Sequence, residues 1–420
     1  MFGRVYDLAI IGGGITGAAI ARDAAGRGLS VFLCEQGDLA SGASSATGKI
    51  VHGNLRLLEG LQIGAMREAV AEREILMHAA PHLVRPLRFL IPHHEGQWSS
   101  RALRIGLFAY DRVARNSLPR SRRVPLEADS ARGDLKTHFT LAFSYGDCVV
   151  DDSRLAVLNA LDARGRGASV HTHVQCTVAE RDGGRWRLLL ESTLTGERST
   201  VLAKMLVNAA GPSAGHVLNH VVQTRHRVEV TLTRSAHLLV ERLGAQAPGY
   251  ALTNADGRIV YAIPYGRNAM LIGAAENTYR GDPASAAVDA DDVAYLLDVT
   301  EQYFHVPVRE DDIIGSFAGV SALPADASLV HRGRALLVDA PPRQAPLVSV
   351  FGGTLGTHRK FAEETVDRLG RFRSLPRGWT AGAALPGGGF PTDGAGDLAR
   401  ALRAAYPFIT ERQAERLVRA

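Results

Sequence analysis

The amino-acid sequence predicts an α/β protein built on a Rossmann-like sheet whose strands come from three distant parts of the chain. Three glycine-rich turns, each directly behind an apolar run, carry that expectation: Gly12-Gly13-Gly14-Ile15-Thr16-Gly17, Ala209-Ala210-Gly211-Pro212 and Gly352-Gly353-Thr354-Leu355-Gly356-Thr357. The first is the most complete. Tyr6 to Ile11 is apolar enough for a buried parallel strand, Ala18 to Gly28 reads as a helix of small residues, and Ser30 to Cys34 reads as a second strand ending at Glu35. In that order each glycine has a physical task. Gly12 permits the tight turn, Gly14 lets the backbone approach a pyrophosphate at the positive end of the helix, and Gly17 lets helix and sheet pack closely. Glu35 is placed to accept hydrogen bonds from an adenosine ribose, and its charge opposes a 2′-phosphate.

The two later turns decide between dinucleotides. Lys204 to Asn208 reads as a strand running into Ala210 and Gly211, and Leu347 to Phe351 as a strand running into Gly352, Gly353, Thr354 and Thr357. Either turn alone also fits an ordinary strand-to-helix connection. Together they describe one nucleotide fold assembled from separated segments, which favours FAD over a nicotinamide cofactor, whose domain usually closes within one contiguous stretch.

Bulk properties bound the remaining classes. The chain has 420 residues, 46% hydrophobic and 22% charged, with a formal charge of +5, so two or more domains and only a mild preference for anionic partners are expected. Cys34, Cys148 and Cys176 are widely spaced, which suggests neither a disulfide framework nor a metal site and points to a reducing, cytoplasmic setting. No apolar run is long enough to span a bilayer and no signal-peptide layout opens the sequence. Nine arginines lie between Arg85 and Arg123, interleaved with Trp98, Leu103, Ile105, Leu107, Phe108 and Tyr110. No nucleic-acid-binding motif accompanies them. The loop-like stretches are Ser121 to Gly133, Asp282 to Asp289 and Pro376 to Gly396.

The segment from Ser41 to Glu59 is more specific. With the first glycine turn, Ser44-Ser45, Lys49, His52-Gly53 and Leu55-Arg56, the sequence resembles the FAD-dependent glycerol-3-phosphate dehydrogenase family. Further matches are Ala71-Glu72-Arg73-Glu74, Pro81-His82-Leu83, Arg104 to Phe108, Val150 to Leu155, Gly281-Asp282-Pro283 and Ser349 to Gly353, so the resemblance runs over essentially the whole chain. It implies the architecture of amino-acid-oxidase-like flavoproteins: the FAD-binding domain (1–82, 146–228 and 313–375) interleaved with an α+β antiparallel-sheet substrate domain (83–145 and 229–312). The last segment, 376–420, resembles the start of the family's C-terminal helical domain, and a truncated helical remnant is expected there. The resemblance also implies electron delivery to a quinone and peripheral contact of the arginine-rich segment with a membrane. A solvated basic face or a dimer contact is the alternative for that segment; oxygen or another redox protein is the alternative acceptor.

Departures bear on substrate. Gly319-Val320-Ser321-Ala322-Leu323 has serine where the family has arginine, and Thr354 stands where it has lysine. Leu57 replaces a tyrosine, and Ala274-Ala275-Glu276 replaces Thr-Thr-Asp. Two cations that the family places around its substrate are absent, and a phosphomonoester depends on charge-assisted hydrogen bonds. The expected substrate is therefore a small, anionic molecule other than glycerol 3-phosphate, oxidised at C–OH or C–NH by hydride transfer to flavin N5. His52 is the first candidate for proton transfer and His237 the second, each with a packing role as the alternative. Arg56 suits an anionic substrate group, against a salt bridge to Glu59 or Glu72, and Arg234 is the remaining cation. Lys49 either neutralises cofactor charge or is solvated. Thr354 and Thr357 sit at a helix start, where hydroxyls cap backbone N–H groups beside donors aimed at the flavin. Unchanged glycerol-3-phosphate dehydrogenase activity with relocated cations and a flavin-binding subunit without catalysis are the competing readings.

Overall fold

The structure, a computed structural model, describes residues 4–53, 62–93, 100–113, 118–127, 133–241, 248–266 and 268–419. In chain order its strands are β1 (Val5–Ile11), β2 (Val31–Cys34), β3 (Ile50–Val51), β4 (Val84–His93), β5 (Arg122–Pro125), β6 (Leu141–Val150), β7 (Ser169–His171), β8 (Val174–Asp182) and β9 (Arg185–Ser192). They continue as β10 (Arg198–Asn208), β11 (Val230–Glu241), β12 (Gly249–Thr253), β13 (Ile259–Tyr265), β14 (Ala269–Tyr279), β15 (Ile313–Pro324), β16 (Arg334–Asp339) and β17 (Leu347–Gly352). The longer helices are α1 (Ile15–Gly26), α2 (Ile63–Ala79), α3 (Ser100–Val113), α4 (Asp152–Gly165), α5 (Ala290–Tyr303), α6 (His358–Leu369), α7 (Ala395–Ala405) and α8 (Glu411–Arg419).

The first sheet has the order β16-β17-β10-β1-β2-β7, with β1, β2, β7, β10 and β17 parallel and the β8–β9 hairpin continuing from β10. Alternation along β1 explains its two-sided burial. Leu8 and Ile10 pack with Ile20 and Ala24 of α1 and Phe361 of α6, while Ala9 and Ile11 join Trp186, Leu206 and Phe351 on the other face. Residues from all three glycine-turn segments thus lie side by side in the sheet.

The second sheet has the order β15-β11-β14-β13-β12-β4-β6-β3 and is antiparallel except where β12 pairs in parallel with β4. Two expected boundaries change. Ile313–Pro324 pairs with β11 along its length, so this segment belongs to the second sheet and the nucleotide sheet resumes only at β16. Likewise β6 stays in the second sheet to Val150, crossing the expected boundary at residue 145. Both differences arise because sheet membership is set by a partner strand far away in sequence, which a local apolar pattern does not specify.

Two of the loop-like stretches carry regular structure or side-chain contacts in their described residues. Arg122–Pro125 forms β5 on β6. In 376–396 the Arg22 guanidinium donates to the carbonyls of Ala383 (3.1 Å) and Ala384 (3.2 Å), and Trp379 lies 3.9 Å from the Arg166 guanidinium. The 376–420 segment ends in two short helices, and Ala414 and Val418 of α8 are buried. Helix α3 buries Leu103, Leu107 and Tyr110 and exposes Ile105 and Phe108 beside Arg101, Arg104 and Arg112. Among the described residues no helix is long and apolar enough to cross a membrane.

Candidate active site

The nucleotide side is made mostly by backbone. Gly12 has φ +112°, and a Cβ there would lie 2.3 Å from the Ala209 carbonyl oxygen. A Cβ on Gly17 would lie 2.0 Å from the Gly12 carbonyl oxygen, so helix and turn close only on glycine. Helix α1 begins after Gly14 without a cap from its own side chain; Ser44 Oγ accepts from Ile15 N at 2.9 Å instead. Glu35, at the end of β2, accepts from Gly13 N (2.7 Å) and Gly37 N (2.9 Å), which holds its carboxylate beside the turn with lone pairs to spare. Ser45 Oγ donates to Gly42 O at 3.0 Å and closes its own turn. Ala210 N donates to Asn208 Oδ1 (3.3 Å), and Gly211 follows with φ +56°. Gly352 and Gly353 have φ +66° and +87°, turning the chain from β17 toward α6.

A cavity of about 540 Å³ separates these turns from the second sheet. Ser44, His52, Gly211, His237, Gly352, Gly353 and Thr354 line it; Gly12, Gly14, Gly17, Glu35, Ser45, Lys49, Ala210, Arg234 and Thr357 do not. Arg56 lies outside the described residues.

His237 is buried on β11 and stacks on Phe317 with ring centroids 5.0 Å apart. Gly273 makes room for it, since a Cβ there would stand 2.2 Å from His237 Cδ2. Burial, helped by the charge of Lys49, pushes its pKa down to about 4. His52 stacks on Tyr261 at 6.2 Å. Burial lowers its pKa as well, but the Asp147 carboxylate draws it upward while Arg73 opposes. The Nδ1 atoms of both rings are buried without a hydrogen-bond partner among the described residues. Buried polar atoms without a protein partner on a cavity wall are available to a ligand.

Three expectations are corrected. Lys49 is neither solvated nor on the cavity wall: its Nζ is buried, bonded to Asp152 Oδ1 (2.8 Å), Asp152 Oδ2 (2.9 Å) and Ser45 O (2.9 Å). It fixes the flavin loop to the start of α4. Arg234 pairs with Asp289 and, at 2.6 Å, with Asp292 of α5. Strand alternation is the reason, because Ser235 and His237 take the cavity face and leave Arg234 on the other. Thr354 and Thr357 make no cap to backbone N–H groups; their hydroxyls bond each other at 2.9 Å.

Sequence reasoning missed Arg258 and the support of His52. Arg258 and Glu276 both line the cavity, with Arg258 Nη1 donating to the Glu276 carbonyl at 3.1 Å. The guanidinium is held by Asp256 Oδ2 (2.6 Å) and lies 4.3 Å from the Tyr295 ring. In sequence Asp256-Gly257-Arg258 reads as a turn with a local ion pair, and only the β13–β14 pairing turns it toward the cavity. Beside His52, Gly53 N donates to Tyr110 Oη and Asp147 Oδ1, both at 3.1 Å, and Arg73 Nη1 donates to Asp147 at 2.6 Å. The Ala71-Glu72-Arg73-Glu74 match was the available signal; its buried partners were not.

These features fit FAD. The close glycine turn at a helix start, the acid at the end of β2 and the cavity between the turns and the second sheet suit the pyrophosphate, the ribose and an aromatic ring system respectively. Comparison with known proteins agrees. The family model described as FAD dependent oxidoreductase matches residues 7–355. The chain is 44% identical to a glycerol-3-phosphate dehydrogenase of Pseudomonas aeruginosa, over 92% of this chain and 76% of that protein. It is 38% identical to a D-erythritol 1-phosphate dehydrogenase of Brucella abortus, over 96% and 81%. The glycerol-3-phosphate dehydrogenase of Bacillus halodurans, solved in complex with FAD, superposes with a TM-score of 0.78 at 25% identity, covering 100% of this chain and 76% of that one. The chain belongs to the FAD dependent oxidoreductase family and is a FAD-dependent dehydrogenase or oxidase akin to the glycerol-3-phosphate dehydrogenases.

Proposed function

We propose that the protein oxidises a C–OH group of a small anionic substrate other than glycerol 3-phosphate. The observation that carries this reading is the composition of the cavity wall: among the described residues it holds His52 and His237, each with an Nδ1 that lacks a hydrogen-bond partner, one guanidinium (Arg258) and one carboxylate (Glu276), with Ser321 and Thr354 uncharged. Bound FAD supplies the two-electron acceptor for the hydride. The chain's own residues do the rest. Arg258, joined by Arg56 on the strength of the resemblance, holds the substrate's anionic group. His52 takes the hydroxyl proton as the C–H bond breaks and the carbonyl forms; burial lowers its pKa, and the Asp147 carboxylate offsets part of that by favouring the charged form. His237, next to Lys49, stays neutral and positions the hydroxyl.

Arg258 also supports a second reading, in which glycerol 3-phosphate remains the substrate and its phosphate has moved to this cation. Anaerobic bleaching of the bound flavin separates the readings. Purified holoprotein is mixed with glycerol 3-phosphate, other hydroxy-acid and polyol phosphates, and amino acids. An efficiency of about 10⁴ M⁻¹s⁻¹ or more with glycerol 3-phosphate overturns the first reading in favour of the second. Reduction only by amino acids assigns C–NH chemistry, and no bleaching by any donor assigns a non-catalytic flavin subunit. For the acceptor, the exposed Ile105 and Phe108 among arginines of α3 support contact with an anionic, quinone-bearing bilayer. Co-sedimentation with anionic vesicles, lost in Phe108→Asp, is the expected result.

A further inference from the structure

Beyond the main cavity, one face of the paired strands β11 and β15, with the chain that follows β15, lines a second hollow of about 260 Å³. Ser321 lines both spaces, so they adjoin at this residue. Strand register explains the continuity. Ser235 lies opposite Gly319 in the cavity, Thr233 opposite Ser321 at the junction, and Thr231 opposite Leu323 in the hollow. These alternate residues share one face of the sheet.

We propose that this hollow is a subsite for the uncharged, hydroxyl-bearing tail of the substrate, which is a straight-chain polyol phosphate of more than three carbons. The inference rests on the reading given under Proposed function and adds the substrate's length and chemistry. Three observations support it. The wall carries the hydroxyls of Thr231, Thr233 and Ser321 above an apolar floor of Leu323, Pro324 and Val330, which suits the alternating O–H and C–H surfaces of a polyol. None of the residues lining the hollow is charged, so it does not serve a second anionic group. The anion-binding end is elsewhere: Arg258 precedes β13, three strand spacings from β15 across β14 and β11, or roughly 14 Å at the usual interstrand distance. His237 on β11 stands between the two ends. Because the flavin ring takes part of the main cavity, the hollow provides the room for a longer substrate.

The test uses the holoprotein and a series of straight-chain polyol monophosphates from three to six carbons. Anaerobic flavin reduction gives kcat/KM for each, and calorimetry gives its affinity. Efficiency is expected to rise at least tenfold from the three-carbon to the five-carbon member. Ser321→Leu, which fills the junction without adding a charge, should lower the ratio of five-carbon to three-carbon efficiency at least tenfold. Thr233→Val, which keeps the shape and removes one hydroxyl, should lower the same ratio about three- to tenfold. Flavin content and melting temperature show that each variant is folded, and Thr233→Val carries the test if the leucine variant is not. Equal efficiency across the series overturns the subsite while leaving the proposed reaction intact. Affinity that rises with length without flavin reduction supports the subsite and overturns the proposed reaction. An effect of Ser321→Leu on quinone reduction alone, with the length ratio unchanged, assigns the hollow to the electron acceptor and overturns the proposal.

Discussion

The two sheets meet the cavity by different physical means. The nucleotide sheet presents backbone: Gly352 and Gly353 turn the chain at the cavity wall, while Gly12 and Gly17, off the wall, press peptide units together at a helix start, where N–H groups favour an anion. The second sheet presents side chains: His237 from β11, Glu276 from β14, Ser321 from β15 and Arg258 from the turn before β13. A backbone site leaves little latitude, because one added carbon meets a carbonyl oxygen. A side-chain site can be changed residue by residue on an unaltered sheet, so substitutions on this wall need not disturb cofactor binding.

The largest expected effect breaks the backbone side. Gly17→Val should leave purified protein without flavin, because its Cβ would stand 2.0 Å from the Gly12 carbonyl oxygen. Chromatography of cofactor released on denaturation measures it; retention of stoichiometric FAD would show that the turn opens without penalty. On the opposite sheet, His52→Gln should keep FAD and slow substrate-dependent flavin reduction by about 10² to 10³, the range for a lost proton acceptor. His237→Gln should slow it only about tenfold, as a lost hydrogen bond. The reverse order would make His237 the base.

Arg258→Ala should raise KM about 10- to 100-fold with FAD content unchanged, the loss of one charge-assisted contact. Arg258→Lys should recover part of it, since an ammonium lacks the planar fork. Unchanged KM would leave Arg56 as the anchor.

Two buried histidines, His237 on the cavity wall and His358 at the start of α6, also predict a pH dependence of stability. Burial holds His237 and His358 neutral down to about pH 4 in the folded protein, whereas both protonate near 6.5 when unfolded. Between those values the unfolded state binds more protons, so stability is full above pH 6.5 and falls as the pH drops toward 4, by about 1.4 kcal/mol per pH unit for each histidine. Denaturant titrations at pH 7 and pH 5 should show this fall, and His358→Gln should flatten it. The smallest effect on activity is expected at Arg234→Met. It should leave flavin reduction unchanged but cost about 1 to 3 kcal/mol of stability, because the buried Asp292 loses a partner. A large loss of turnover in that variant would return Arg234 to the substrate site.

The nucleotide half was legible in the sequence because its signals are local. Strand, glycine turn, helix and acid occupy residues 5–35 without a break, and the burial of β1 follows from its own apolar run. Sequence by itself determined the fold class, FAD as the cofactor and the absence of charge at Ser321 and Thr354. It did not determine where charge goes on the second sheet. Arg234, within a strand, and Arg258, after a turn, are both arginines in polar surroundings, yet one faces α5 and the other lines the cavity. That choice is made by strand register, where a shift of one residue turns every side chain to the other face, and register is set by partners dozens to hundreds of residues away. The same holds for Lys49, whose buried partner Asp152 is 103 positions distant, and for the assignment of Ile313–Pro324, settled only when it paired with β11.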